Sequence, residues 1–134
     1  MNTYCTRTDI ESLWNPAAVL TAADDNDDGV LSPAEETLID DAIERGATQL
    51  NASLDMRYTL TELANNAWCR DANAALAAWL LASRKLETPP QSLATLRLFY
   101  LEQLAEICAG RLKLPQVPER TESLPAVVDR YPGV

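Results

Sequence analysis

Apolar residues recur at helical spacing along most of this chain, and the recurrence breaks at caps, prolines and glycines. The first run is short. Ile10, Leu13 and Trp14 share one face of a helix predicted over roughly 9–14, opened by a capping box in Thr8-Asp9-Ile10-Glu11. Asn15-Pro16 stops it and starts a second helix over 16–23, whose Val19 and Leu20 point inward. Ile39, Ile43, Ala47, Leu50 and Leu54 then mark one face of a long helix over 33–57, ~37 Å at 1.5 Å per residue. Asp41 and Arg45 are spaced to pair on its polar side. Gly46 sits beside the apolar stripe, where it signals either the close approach of another helix or a weak point.

Tyr58-Thr59-Leu60-Thr61-Glu62 is the next break, with Thr59 and Glu62 spaced for another capping box. The helix that follows, over about 60–85, carries Ala64, Trp68, Ala72, Leu76 and Trp79 on one stripe. Its second half is apolar nearly all round, which predicts the central and most buried helix. Thr88-Pro89-Pro90-Gln91 opens a last helix over 89–109, and Gly110 closes it as a C′ glycine. This helix has two apolar stripes: Leu93, Leu96, Tyr100, Leu104 and Ile107 on one, Ala94, Leu98, Leu101 and Ala105 on the other. One stripe serves the chain's own core. The second needs a partner, either another helix of the chain or a neighbouring subunit.

After Leu112 the character changes, and four of the eight prolines fall in Leu114–Val134. That composition predicts an extended segment. It reads either as a frayed terminus or as a docking arm, since Leu124, Val127, Val128 and Tyr131 are costly to leave in water. The expected architecture is therefore all-α: a compact bundle of four to five helices over 1–113, with an extended, Pro-containing tail over 114–134.

Composition narrows the classes. At 134 residues and 47% hydrophobic, the chain is long enough for one domain with a sizeable core. Its longest wholly apolar run, Ala74–Ala82, is too short to span a bilayer, so no membrane partner is expected. Met1–Cys5 shows no basic-then-apolar pattern, so no secretory signal is expected. Cys5, Cys69 and Cys108 are dispersed and odd in number, which suits reduced thiols in a cytoplasmic setting. The net charge is −9, and ten of the twenty acidic residues lie between Asp24 and Asp55, against a single Arg45. Such a surface repels nucleic acid and is compatible with one that DNA slides past without sticking.

The densest chemistry lies in Asp24-Asp25-Asn26-Asp27-Asp28-Gly29-Val30-Leu31-Ser32-Pro33-Ala34-Glu35. Laid on the EF-hand template D-x-[DN]-x-[DN]-G-x5-E, every fixed position is filled. Asp24, Asn26 and Asp28 take positions 1, 3 and 5; Gly29 is the turn glycine; the Val30 carbonyl, Ser32 and Glu35 take positions 7, 9 and 12. Alternate oxygens of a tight loop closed by a bidentate glutamate suit Ca2+, which takes six to eight hard ligands. The same residues also read as a metal-free helix start, with Ser32 as N-cap, Pro33 in the first turn and Glu35 reaching back. A single loop with a two-turn incoming helix predicts weak, structural Ca2+ binding, on the order of 10⁻⁴–10⁻³ M.

Catalysis is not expected. The absence of histidine removes His-based zinc sites, Ser-His triads and Cys-His dyads, and four scattered glycines form no phosphate loop. With three dispersed cysteines and no adjacent base, no activated nucleophile is visible.

Several short stretches, in order, resemble the small helical head–tail connector (adaptor) proteins of tailed bacteriophages, notably the Mu-like prophage group. Tyr4-Cys5-Thr6 with Asp9-Ile10 is similar to their opening, and the acidic Gly-containing loop to theirs. So are Ala42-Ile43, Ala47, Leu50, Leu54, Arg57-Tyr58 and Leu60, and the closing Gly110-Arg111-Leu112-Lys113-Leu114-Pro115. The resemblance covers roughly residues 3–115 and lies in order and spacing. It implies a structural virion protein of the neck, made in the host cytoplasm and assembled as a homo-oligomeric ring, commonly a dodecamer. Such a ring sits between the portal protein and the tail or neck proteins and lets DNA pass. The competing reading is a free EF-hand or dockerin-like calcium-binding interaction module, which would want a second loop.

Overall fold

The computed structural model describes residues 3–85, 89–114 and 117–119. Among them are five α-helices, one 3-10 turn and no strand, as the periodicity predicts. Helix α1 spans Arg7–Leu13. It starts two residues earlier than expected because Thr6, not Thr8, is the cap: the Asp9 carboxylate accepts from the Thr6 N–H at 2.9 Å. Helix α2, Pro16–Ala23, opens as predicted, with Asn15 Oδ1 accepting from the Ala18 N–H at 2.6 Å.

Helix α3 runs Pro33–Leu54, three residues shorter than the periodicity suggested. Its end is tightened by the Arg57 N–H, which donates to the Leu54 carbonyl three residues back. The turn brings Tyr58 fully into the core. The anticipated single helix over 60–85 is divided. A 3-10 turn at Leu60–Leu63 comes first, and α4 occupies Ala67–Lys85. Thr59 makes no side-chain cap there; Asn66 does, its Oδ1 accepting from the Cys69 N–H at 3.0 Å. Ala64 therefore lies outside the helix and is exposed. Helix α5, Gln91–Cys108, starts after Pro90 without a side-chain cap, and Thr88, the expected cap, lies outside the described residues. Gly110 closes α5 at φ +82°, with the Arg111 N–H on Glu106 O and the Gly110 N–H on Ile107 O. That bond pair is the Schellman arrangement the glycine predicts.

Helix α4 is the axis of the bundle. It packs on α1, α2, α3 and α5, and its residues Ala72–Ala78 are all buried. Two apolar clusters lie along it. The first gathers Ile10, Val19, Ile39, Ile43, Ala78 and Leu81; the second gathers Leu50, Leu54, Tyr58, Leu63, Leu104 and Ile107. Each such Leu or Ile side chain contributes about 1.5–3 kcal/mol of burial. Alanines on α4 let its neighbours come close, and Gly46 marks the tightest point. A Cβ there would stand 2.9 Å from Asn73 Nδ2 and 3.2 Å from Leu76 Cβ, so the close-approach reading of Gly46 is the correct one.

Asn73 is wholly buried in that crossing, and both of its polar atoms are bonded. Its Oδ1 accepts from the Tyr4 N–H at 2.9 Å, and its Nδ2 donates to the Ile43 carbonyl at 3.0 Å. It joins the N-terminal segment, α3 and α4 through one side chain. At the other end, Leu114 is buried against the second cluster, and its N–H donates to Tyr58 Oη at 3.0 Å. Val117 packs on the same cluster.

Candidate metal centre

The Asp-rich stretch joins the end of α2 to the start of α3. Asp24 is the residue at which α2 stops, its backbone extended and its side chain turned inward to 5% exposure. Two left-handed residues, Asp27 at φ +58° and Gly29 at φ +80°, curl the backbone around that carboxylate. The Gly29 N–H donates to Asp24 Oδ2 at 2.8 Å, the Asp28 N–H to Asn26 Oδ1 at 3.3 Å, and the Val30 N–H to Asp28 Oδ1 at 3.0 Å. Each short polar side chain thus uses one lone pair to hold the turn.

Glu35 closes the loop from the first turn of α3. Its Oε1 accepts from the Ser32 N–H at 2.8 Å, and its Oε2 accepts from the Asp25 and Asn26 N–H groups at 2.6 and 3.4 Å. Ser32 Oγ accepts from the Glu35 N–H at 3.2 Å, completing the capping box. These donors, the Ser32 N–H first, hold the Glu35 carboxyl below the usual glutamate range against the opposing effect of burial. One carboxylate oxygen each of Asp24, Asp28 and Glu35 lie within 4.8 Å of one another.

Three of the six anticipated ligands therefore converge. Asn26 shares the turn, Ser32 Oγ serves the helix cap, and the Val30 side chain is 65% exposed, as befits a position whose oxygen would be the backbone carbonyl. Oδ1 of Asp24 is buried and, among the described residues, has no hydrogen-bond donor.

Sequence spacing missed the cations beside this loop. Arg84 Nη2 donates to both carboxylate oxygens of Asp25 at 3.0 and 3.1 Å, and Nη1 donates to the Ala22 carbonyl at 2.7 Å. Lys85 Nζ donates to the Thr21 carbonyl at 3.0 Å and also to the Asp24 carbonyl. Two cations in the last turn of α4 thus cap the orphan carbonyls at the end of α2. The signal was present as a basic pair closing a helix, but its target lies some sixty residues away in sequence. Asp41 and Arg45, by contrast, form no ion pair with each other.

The anticipated interface residues divide. Leu98 on α5 is 55% exposed, while Leu101 rests partly against the second core cluster. Phe99, which belonged to neither stripe, stands beside Leu98 at 48% exposure, its ring edge-on to Tyr100 with centroids 5.1 Å apart. Leu124, Val127, Val128 and Tyr131 lie outside the described residues.

Cys5 and Cys69 are buried, and burial pushes both thiols up to about 12. Neither offers a thiolate near neutral pH. Among the described residues no helix is long and apolar enough to cross a membrane.

No curated protein matches the chain. A family model described as Bacteriophage Mu, Gp36 matches residues 4–128, a span that takes in all five helices and the acidic loop. With nearly its whole length inside that match, the chain belongs to the Bacteriophage Mu, Gp36 family of phage proteins.

Proposed function

We propose that this phage protein is a head–tail connector (adaptor), a structural subunit whose copies form a ring between the portal and the tail. Membership in a phage family over 4–128 supports a structural or morphogenetic role. The geometric observation that carries the finer reading is the outward face of α5, where Leu98 and Phe99 stay about half in water while Leu93, Leu104 and Ile107 on the other side of the helix are buried. A side chain of that size gives up roughly 1 kcal/mol when half its surface stays wet, and a neighbouring subunit would recover it. The acidic stretch from Asp24 to Asp55 suits a passage through which DNA moves without sticking. A ring of twelve is the stoichiometry that the family resemblance favours.

The test is assembly. Native mass spectrometry and light scattering, on the purified chain alone and mixed with the portal protein of the same phage, are expected to show a closed oligomer. Leu98→Asp with Phe99→Ser should abolish it while leaving the helical circular dichroism and melting temperature of the subunit unchanged. A chain that stays monomeric at every concentration, with and without portal, would overturn the connector reading. A calcium-dependent complex with an unrelated partner would instead favour the interaction-module reading, which the inward Asp24 carboxylate supports.

A further inference from the structure

We propose that the loop from Asp24 to Glu35 is a single Ca2+ site, a property independent of whether the chain forms a ring. Three carboxylates bring oxygens within 4.8 Å of one another. Such a cluster is by itself ordinary on an acidic surface. What sets this one apart is Asp24: the residue is only 5% exposed, and among the described residues its Oδ1 has no donor while Oδ2 is held by the Gly29 N–H at 2.8 Å. A buried anionic oxygen with no donor is costly unless a cation meets it.

Among the described residues no cationic side chain does. Arg84 is spent on Asp25 and the Ala22 carbonyl, and Lys85 on the Thr21 and Asp24 carbonyls. Asp25 occupies the second loop position, which the ligand spacing leaves unused. The two cations thus fasten the outside of the loop, and the carboxylates of positions 1, 5 and 12 meet backbone N–H groups but neither of these cations.

The donor set selects the metal. Asp24, Asp28 and Glu35 supply carboxylates, Asn26 an amide oxygen, Val30 a carbonyl, and Ser32 a hydroxyl position often filled through water. All are hard oxygens, with no imidazole or thiolate among them, so zinc and copper are disfavoured. A multidentate cage on a flexible turn suits Ca2+ better than Mg2+, which wants strict octahedral geometry and keeps its waters. Bound there, the ion would tie the end of α2 to the start of α3, fixing the angle between them. Arg84 and Lys85 nearby, and the lack of a second loop among the described residues, keep the affinity on the order of 10⁻⁴–10⁻³ M.

Isothermal titration of the full chain with CaCl2, with melting curves in parallel, tests the site. One saturable event is expected. At 10 mM Ca2+ and a dissociation constant of about 0.3 mM, the folded state is favoured roughly 30-fold, seen as a raised melting temperature. Asp28→Ala removes one of the three converging carboxylates and should erase the response, and since Asp28 is exposed its loss spares the core. Asp24→Asn keeps the acceptor for Gly29 but removes the charge, and should erase it as well. An equal response to Mg2+ at matched ionic strength, an undiminished response in Asp28→Ala, or no response at 10 mM would each overturn the proposal. None of these outcomes depends on ring assembly, so the two proposals fail separately.

Discussion

Replacing Asn73 with alanine probes the point where the N-terminal segment, α3 and α4 meet. The side chain is wholly buried, and both of its polar atoms are used, Oδ1 by the Tyr4 N–H and Nδ2 by the Ile43 carbonyl. Alanine strands the Tyr4 N–H away from water, which costs about 1–3 kcal/mol. The Ile43 carbonyl lies within α3 and keeps its helical acceptor role, so its share is smaller, about 0.5–1 kcal/mol. With the void left behind, the expected loss is about 2–4 kcal/mol. For a chain of this length that lowers the melting temperature by roughly 7–14 °C, at about 2.1 cal/mol/K per residue. Gly46→Ala supplies the companion measurement. Alone, its methyl would press on Asn73 Nδ2 at 2.9 Å and Leu76 Cβ at 3.2 Å, an overpacking cost of about 1–3 kcal/mol, partly offset by about 1 kcal/mol of helix propensity. In the Asn73→Ala background the same methyl enters the vacated space, so the two changes should couple favourably by more than about 0.5 kcal/mol. Urea denaturation of the two single variants and the double completes the cycle. An Asn73→Ala loss under about 0.5 kcal/mol, together with additive effects, would refute this account of the crossing.

Two further expectations rest on separate features. Gly110→Ala forces a Cβ into a φ of +82° and within 2.7 Å of Arg57 Nη2, so urea denaturation should show a loss of about 1–2 kcal/mol. At pH 8 the half-buried Cys108 should react first with a chromogenic disulfide, whereas Cys5 and Cys69 should react only on unfolding. Because those two folded thiols titrate near 12, above their ordinary value of 9.0, the stability they contribute is complete below pH 9. It is lost as the pH rises from there toward 12, which melts at pH 8 and pH 10.5 would register.

Much of the bundle was legible because its helices start and stop on local chemistry. Asn15-Pro16, Ser32-Pro33 and Gly110 each mark a boundary that the structure keeps. The misplaced boundaries are those where two local signals competed. Thr6 and Thr8 both precede a carboxylate three residues on, and the winner is the one that lets Ile10 reach full burial. Thr59 and Asn66 both stood before a helical pattern, and the stronger cap opened α4. Of the loop, the turn and the convergence of Asp24, Asp28 and Glu35 could be read from spacing alone, because neighbours in sequence build them. Arg84 and Lys85 could not, since their role depends on where α4 ends in space. Phe99 escaped for a similar reason: its exposure follows from which side of α5 meets α3 and α4.

The central place of α4 has a consequence for how the protein is born. Helices α1, α2 and α3 leave the ribosome first, yet the oily faces of all three close onto a helix that has not yet emerged when Leu54 does. At about 5–20 residues per second, the interval until Lys85 follows it out lasts roughly 2–6 s. During that time Ile10, Val19, Ile39 and Ile43 have no lasting shelter, and the nascent chain must be kept dissolved by its acidic loop or by the cell's chaperones.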